Sequence, residues 1–294
     1  MIDGKKFARE GMDAAVAQVL QAYYKAPQIT SRVKLQSMVL DREGLKPMME
    51  VIEALEGELG KESVANLFMP IYMDYMCYKD LYDQDSDFKV LVLGANLTTS
   101  ELMWDCGGCG FASCAEFNKY SKEHGGMGKV GGGPSCVWKT MDYSIAVDYA
   151  CACAHQLNLE NRIQGTFGGL AYLLGYLEDA SMVLTLPLVP LRELWFYNRP
   201  SMPNLASWAE ISHLMRCNYT IMFQMFSSNA NPPIKDDGPW WEKAEFERDL
   251  STVFHSENLE DLKLQTGGKL LETVIDIRMR VQQMKEEKMG IKAG

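Results

Sequence analysis

Apolar residues recur at helical spacing between Lys5 and Tyr24, where Phe7, Ala8, Met12, Ala15, Val16, Val19, Leu20 and Tyr23 share one stripe. The pattern predicts an amphipathic helix that Pro27 closes. A second helix is expected from Pro47 to about Leu59, carried by Met48, Val51, Ile52 and Leu55. A third apolar segment runs from Val64 to Leu81, and Pro70 inside it suggests two pieces. After Asp83, Asp85 and Asp87 the period changes. Phe88 to Leu93 is an almost continuous apolar run ended by Gly94, the pattern of a strand buried on both faces. Ser181 to Leu186 repeats it and stops at Pro187. Helices from about Thr140 to Leu157 and from about Thr166 to Leu177 separate the two strands. A last helix, Lys269 to Lys288, places Leu270, Leu271, Val274, Ile277, Val281 and Met284 on one stripe.

Helices packed on a sheet that contains these two strands make an α+β domain with α/β/α layering, spanning residues 1–200. Past Pro200 the chain changes character. Pro203, Pro232, Pro233 and Pro239 punctuate a stretch bearing Trp208, Trp240 and Trp241, so 201–294 reads as a C-terminal extension that packs on the core or on a neighbouring subunit.

Composition narrows the function classes. The formal charge of −10 and the scattered basic residues disfavour nucleic acid and anionic membranes as partners. The N-terminus lacks the apolar run of a signal peptide, and the most apolar helical stretch, Gly169 to Leu177, is too short to span a bilayer. A cytoplasmic location is expected, where cysteines stay reduced.

Four cysteines then carry the chemistry. In Asp105-Cys106-Gly107-Gly108-Cys109-Gly110-Phe111-Ala112-Ser113-Cys114, three thiols fall within nine residues, and Cys136 supplies a fourth. An iron–sulfur cube needs several sulfurs presented close together, so the backbone must curl tightly around it. Gly107, Gly108 and Gly110 permit the necessary dihedrals. Structural zinc more often draws on two short Cys-x-x-Cys pairs, and plant-type [2Fe–2S] centres place the long gap before the short one. The spacing favours [4Fe–4S] and leaves those two as alternatives.

The glycine-rich run from His124 to Ser135 has no Ser or Thr after Gly128-Lys129 and no strand leading into it, so it is expected to wrap Cys136 over the cluster rather than cradle phosphate. Cys151 and Cys153 lie on different faces of one helix, and with Cys77 and Cys217 they read as buried small hydrophobes. His124 reads as an exposed loop residue. No nucleophile–base constellation or dinucleotide fingerprint is visible.

The run from Cys106 to Gly110, Cys114-Ala115-Glu116-Phe117, Gly133-Pro134-Ser135-Cys136, Met141-Asp142, Ile145-Ala146, Asn161-Arg162-Ile163, Pro187-Leu188 and Tyr197-Asn198-Arg199 resembles the uncharacterised ferredoxin-domain proteins of anaerobic bacteria and archaea. The resemblance covers about residues 10–200. Those proteins in turn look like distant relatives of the flavin-dependent nitroreductases. That likeness implies a nitroreductase-like core, a homodimer, and FMN at the subunit interface, with Arg32 and Lys34 facing the FMN phosphate. Three functions follow as expectations. The first is a [4Fe–4S] electron-transfer protein or subunit that serves a redox partner or a larger anaerobic oxidoreductase system. The others are an iron–sulfur flavoprotein oxidoreductase and a non-redox assembly module with a structural metal.

Overall fold

The structure is a computed structural model that describes residues 3, 4, 7, 11–61, 64, 69–84, 87–127, 131–191, 196 and 258–290. Among the described residues, seven helices and six strands follow in chain order: α1 (Met12–Lys25), β1 (Leu35–Leu40), α2 (Arg42–Leu59), α3 (Met69–Asp83), β2 (Lys89–Ala95), α4 (Cys114–His124), β3 (Gly126–Met127), β4 (Gly132–Gly133), α5 (Val137–Gln156), β5 (Glu160–Asn161), α6 (Gly165–Leu173), β6 (Met182–Val189) and α7 (Asn258–Met289). Four strands form one antiparallel sheet in the order β1-β2-β6-β5. The glycine strands β3 and β4 make a separate two-stranded ribbon.

Alternation along the central strands divides the core. Val90 and Val92 of β2 join Val183 and Val189 of β6 under α2, α3, α6 and α7. Leu91, Leu93 and Ala95 join Leu186 and Leu188 beneath α1 and α5. Each of these strand side chains is buried, which accounts for the unbroken apolar runs. Burying one such side chain stabilises the fold by about 1.5–3 kcal/mol. Buried tyrosines lock helices to strands: Tyr143 donates to the Leu93 carbonyl at 2.8 Å, and Tyr23 reaches the carbonyls of Gln36 and Gly94 at 3.2 Å. Helix α6 crosses β6 closely enough that a Cβ on Gly168 would stand 2.3 Å from the Val183 carbonyl oxygen. At the far end of the chain, Val274, Ile277 and Val281 of α7 enter the first core, and Arg280 pairs with Glu50 at 2.6 Å.

Several boundaries differ from expectation for physical reasons. Helix α2 starts at Arg42, five residues before Pro47, because Asp41 caps it by accepting the Gly44 amide at 2.8 Å. Helix α3 begins at Met69, which leaves Pro70 in its first turn, where a missing N–H costs nothing. Strand β6 continues through Pro187 to Val189. Thr185 exchanges both backbone bonds with Gln164 on the outer side of β6. Pro187, two residues on, therefore presents its N–H-less nitrogen to that same side. It stands opposite Arg162, where the pairing between Gln164–Thr185 and β5 is interrupted, while the β2–β6 ladder on the other side of the strand is untouched. Residues 201–257, with Trp208, Trp240 and Trp241, lie outside the described residues.

Candidate metal centre

The site forms where β2 ends and β6 begins, at the Ala95–Met182 end of the sheet. Ser181 is the hub there. Its amide donates to the Ala95 carbonyl at 3.0 Å, and its hydroxyl accepts the Leu97 amide at 2.8 Å. Its carbonyl takes the Gly132 amide at 2.6 Å. The departing strand and the returning glycine ribbon are thereby fastened to one residue. Gly131 has to be glycine for this approach, since a Cβ would lie 2.6 Å from the Ser181 carbonyl oxygen. A cis Gly133–Pro134 bond follows, and the Cys136 amide closes onto the Leu97 carbonyl at 2.8 Å.

Residues 98–113 fold as a tethered loop. Ser100 and Asn118 exchange two bonds, at 2.7 and 2.8 Å. The Asp105 carboxylate accepts the Cys114 amide at 2.7 Å. Left-handed backbone recurs at Met103, Asp105, Gly107 and Gly110, the tight curl that the cysteine spacing demands. Lys139, in the first turn of α5, is buried and pins the loop. Its ammonium donates to the Thr99 carbonyl at 2.9 Å and to the Glu101 carboxylate at 3.2 Å. Burial opposes ionisation of Glu101 most strongly, but the Lys139 charge and the hydrogen bonds from Thr99 and Lys139 together hold the carboxyl below its ordinary range.

Each of the four candidate cysteines is a free thiol. Cys136 is buried, Cys109 and Cys114 are half-buried, and Cys106 is exposed. Cys114 opens α4 and Cys136 caps α5, so two of the four sit at helix N-termini, where the positive dipole end favours a thiolate. The other contacts run between segments distant in sequence. The Trp138 indole Nε1 donates to Cys106 Sγ at 3.2 Å, and the Ser100 hydroxyl donates to Cys114 Sγ at 3.4 Å. A Cβ on Gly108 would lie 2.8 Å from Val137 Cγ1, so the Cys106–Cys109 turn rests on the start of α5. The Ser100 bond, against the opposing effect of burial, lowers the Cys114 pKa.

Among the described residues, no three Cys, His, Asp or Glu side chains are gathered tightly enough to hold a single metal ion. Four free thiols, two helix N-termini and two hydrogen-bond donors aimed at sulfur fit an anionic cluster in their chemistry.

The remaining candidates lie elsewhere. Arg32 and Lys34 are exposed on the 26–34 loop, and no hydrogen bond or ion pair joins either to the four cysteines among the described residues. That loop is anchored by the buried Asp142 of α5, which accepts the Ile29 amide at 2.6 Å, the Thr30 amide at 2.9 Å and the Thr30 hydroxyl at 2.5 Å. His124 is exposed at the opposite end of α4 from Cys114, against the Tyr120 ring. Cys77 is buried in the first core, and burial pushes the Cys151 thiol up to about 12. Cys217 lies outside the described residues. Sequence reasoning missed Ser100, Trp138, Lys139 and Ser181. It also missed α4, although Ser113-x-x-Glu116 carries a capping signal, and the Ser113 hydroxyl does accept the Glu116 amide at 3.1 Å.

Among the described residues, no helix is long and apolar enough to cross a membrane. No solved structure matches the chain. An uncharacterised protein of Archaeoglobus fulgidus is 23% identical over 199 residues, covering 68% of this chain and 97% of that protein. Residues 132–199, from the glycine ribbon through Cys136, α5, α6 and β6, match the model of a family described as uncharacterised proteins containing a ferredoxin domain (DUF2148), a likeness that points to iron–sulfur electron transfer.

Proposed function

We propose that this chain is an electron-transfer protein or subunit that binds one [4Fe–4S] cluster through Cys106, Cys109, Cys114 and Cys136. The observation that carries the reading is the Trp138 indole bond to Cys106 Sγ, which joins the start of α5, beside Cys136, to the cysteine-rich turn. When bound, the cluster takes up and releases single electrons. The protein's own residues hold and shield it. Lys139 clamps the loop against α5 through Thr99 and Glu101. Asp105 and Ser113 fix the backbone that presents Cys114. Ser181 keeps the ribbon in place, so that Cys136 returns to the same end of the sheet. Cys106 is the exposed member of the set, so a redox partner would approach from its side.

The test is anaerobic purification followed by EPR of the dithionite-reduced protein. A low-spin signal that disappears in Cys109→Ser is expected. Zinc in place of iron would overturn the reading. For FMN at Arg32 and Lys34 the support is the resemblance alone, and acid release of any bound flavin from the same sample reads it directly.

A further inference from the structure

Trp138 stands in the first turn of α5 with its ring half-buried. Its Nε1 lies 3.2 Å from Cys106 Sγ, and its ring meets Trp104 edge-on at a centroid distance of 5.7 Å. Trp104 is 48% exposed and Cys106 is itself exposed, so the indole–sulfur bond lies at the outer edge of the site. An indole N–H is a donor only, and a donor prefers the more negative acceptor. Reduction adds one electron to the cluster, and the extra negative charge spreads onto its ligand sulfurs. A hydrogen bond to one of those sulfurs therefore stabilises the reduced form more than the oxidised form, and this raises the reduction potential.

We infer that Trp138 is a positioning residue that sets the potential of the centre through its N–H bond to Cys106 Sγ, with Trp104 holding the indole in place; this rests on Cys106 being a cluster ligand. Apolar cover alone predicts something different. Phenylalanine at 138 keeps most of the ring's bulk and its contact with Trp104 but has no N–H. If shielding from water were the whole role, Trp138→Phe would leave the potential where it was.

The experiment is a spectroelectrochemical titration of anaerobically purified wild type and Trp138→Phe. A midpoint potential shifted downward in the variant, at the same iron content per chain, supports the inference. An unchanged or raised potential overturns it and leaves the cluster assignment standing. If the variant takes up too little iron to titrate, wild type labelled with 15N at its indoles decides. One of its six tryptophan N–H signals should be shifted or broadened by the reduced cluster and slow to exchange with solvent. No such signal would overturn the inference. Wild type that binds no iron would overturn both this inference and the function on which it rests.

Discussion

Asp142 is fully buried in α5, and its two carboxylate oxygens accept three donors from the 26–34 loop. Two of these donors are the backbone amides of Ile29 and Thr30. Hydrogen bonds to a charged acceptor contribute about 1.5–3 kcal/mol each, which for three bonds sums to about 4.5–9 kcal/mol. Asp142→Ala does not lose that whole amount. The carboxylate no longer has to be stripped of water, and Ile29, half exposed, can turn its amide outward. We predict a net loss of about 3–4 kcal/mol for Asp142→Ala. For Asp142→Asn we predict about 2 kcal/mol, since the amide keeps one acceptor but points an NH2 at a donor. Urea unfolding followed by far-UV circular dichroism is the assay. With a slope of about 3 kcal/mol/M, the alanine variant's midpoint falls by about 1 M. A midpoint shift below a third of that for the alanine variant, with the slope unchanged, would refute the anchoring role. So would unaltered hydrogen-exchange protection at the Ile29 and Thr30 amides.

Other consequences are as direct. Gly168→Ala forces a methyl to within 2.3 Å of the Val183 carbonyl oxygen, and thermal unfolding should register a destabilisation of about 3 kcal/mol. Burial raises the Glu160 carboxyl to about 7, above its unfolded value, although the Phe196 amide and Arg162 pull it the other way. Stability linked to Glu160 is thus complete below the unfolded pKa and is lost as pH rises through about 7. Unfolding free energies of wild type from urea titration should decline about 2–3 kcal/mol more between pH 5 and pH 8 than those of Glu160→Gln. Cys151, with its thiol at about 12, should resist iodoacetamide at pH 8 in the folded protein, and it should label readily in urea.

The central strands and most helices were legible because their signals are local. β2 and β6 are runs of side chains buried on both faces, and α5 and α6 carry long apolar patterns between clear stops. Strand β1 was not legible: Gln36 and Ser37 interrupt it, and it lies at the sheet edge with half-buried positions. The end of β6 was misread because Pro187 turns its missing N–H toward the short edge strand β5 and away from β2, and which side a proline presents is a tertiary fact. At the metal centre the four cysteines stood out by spacing and by flanking glycines. The groups that act on their sulfurs did not. Ser100 and Trp138 come from ordinary positions, and only the return of the ribbon through Ser181 brings α5 against the cysteine turn.

Native mass spectrometry of the anaerobically purified chain is the most direct test of the iron–sulfur assignment. The account predicts an added mass of about 350 Da, one Fe4S4 unit, that is absent from Cys136→Ser. An increment of about 65 Da for a single zinc, or the same Fe4S4 increment retained in Cys136→Ser, would contradict it.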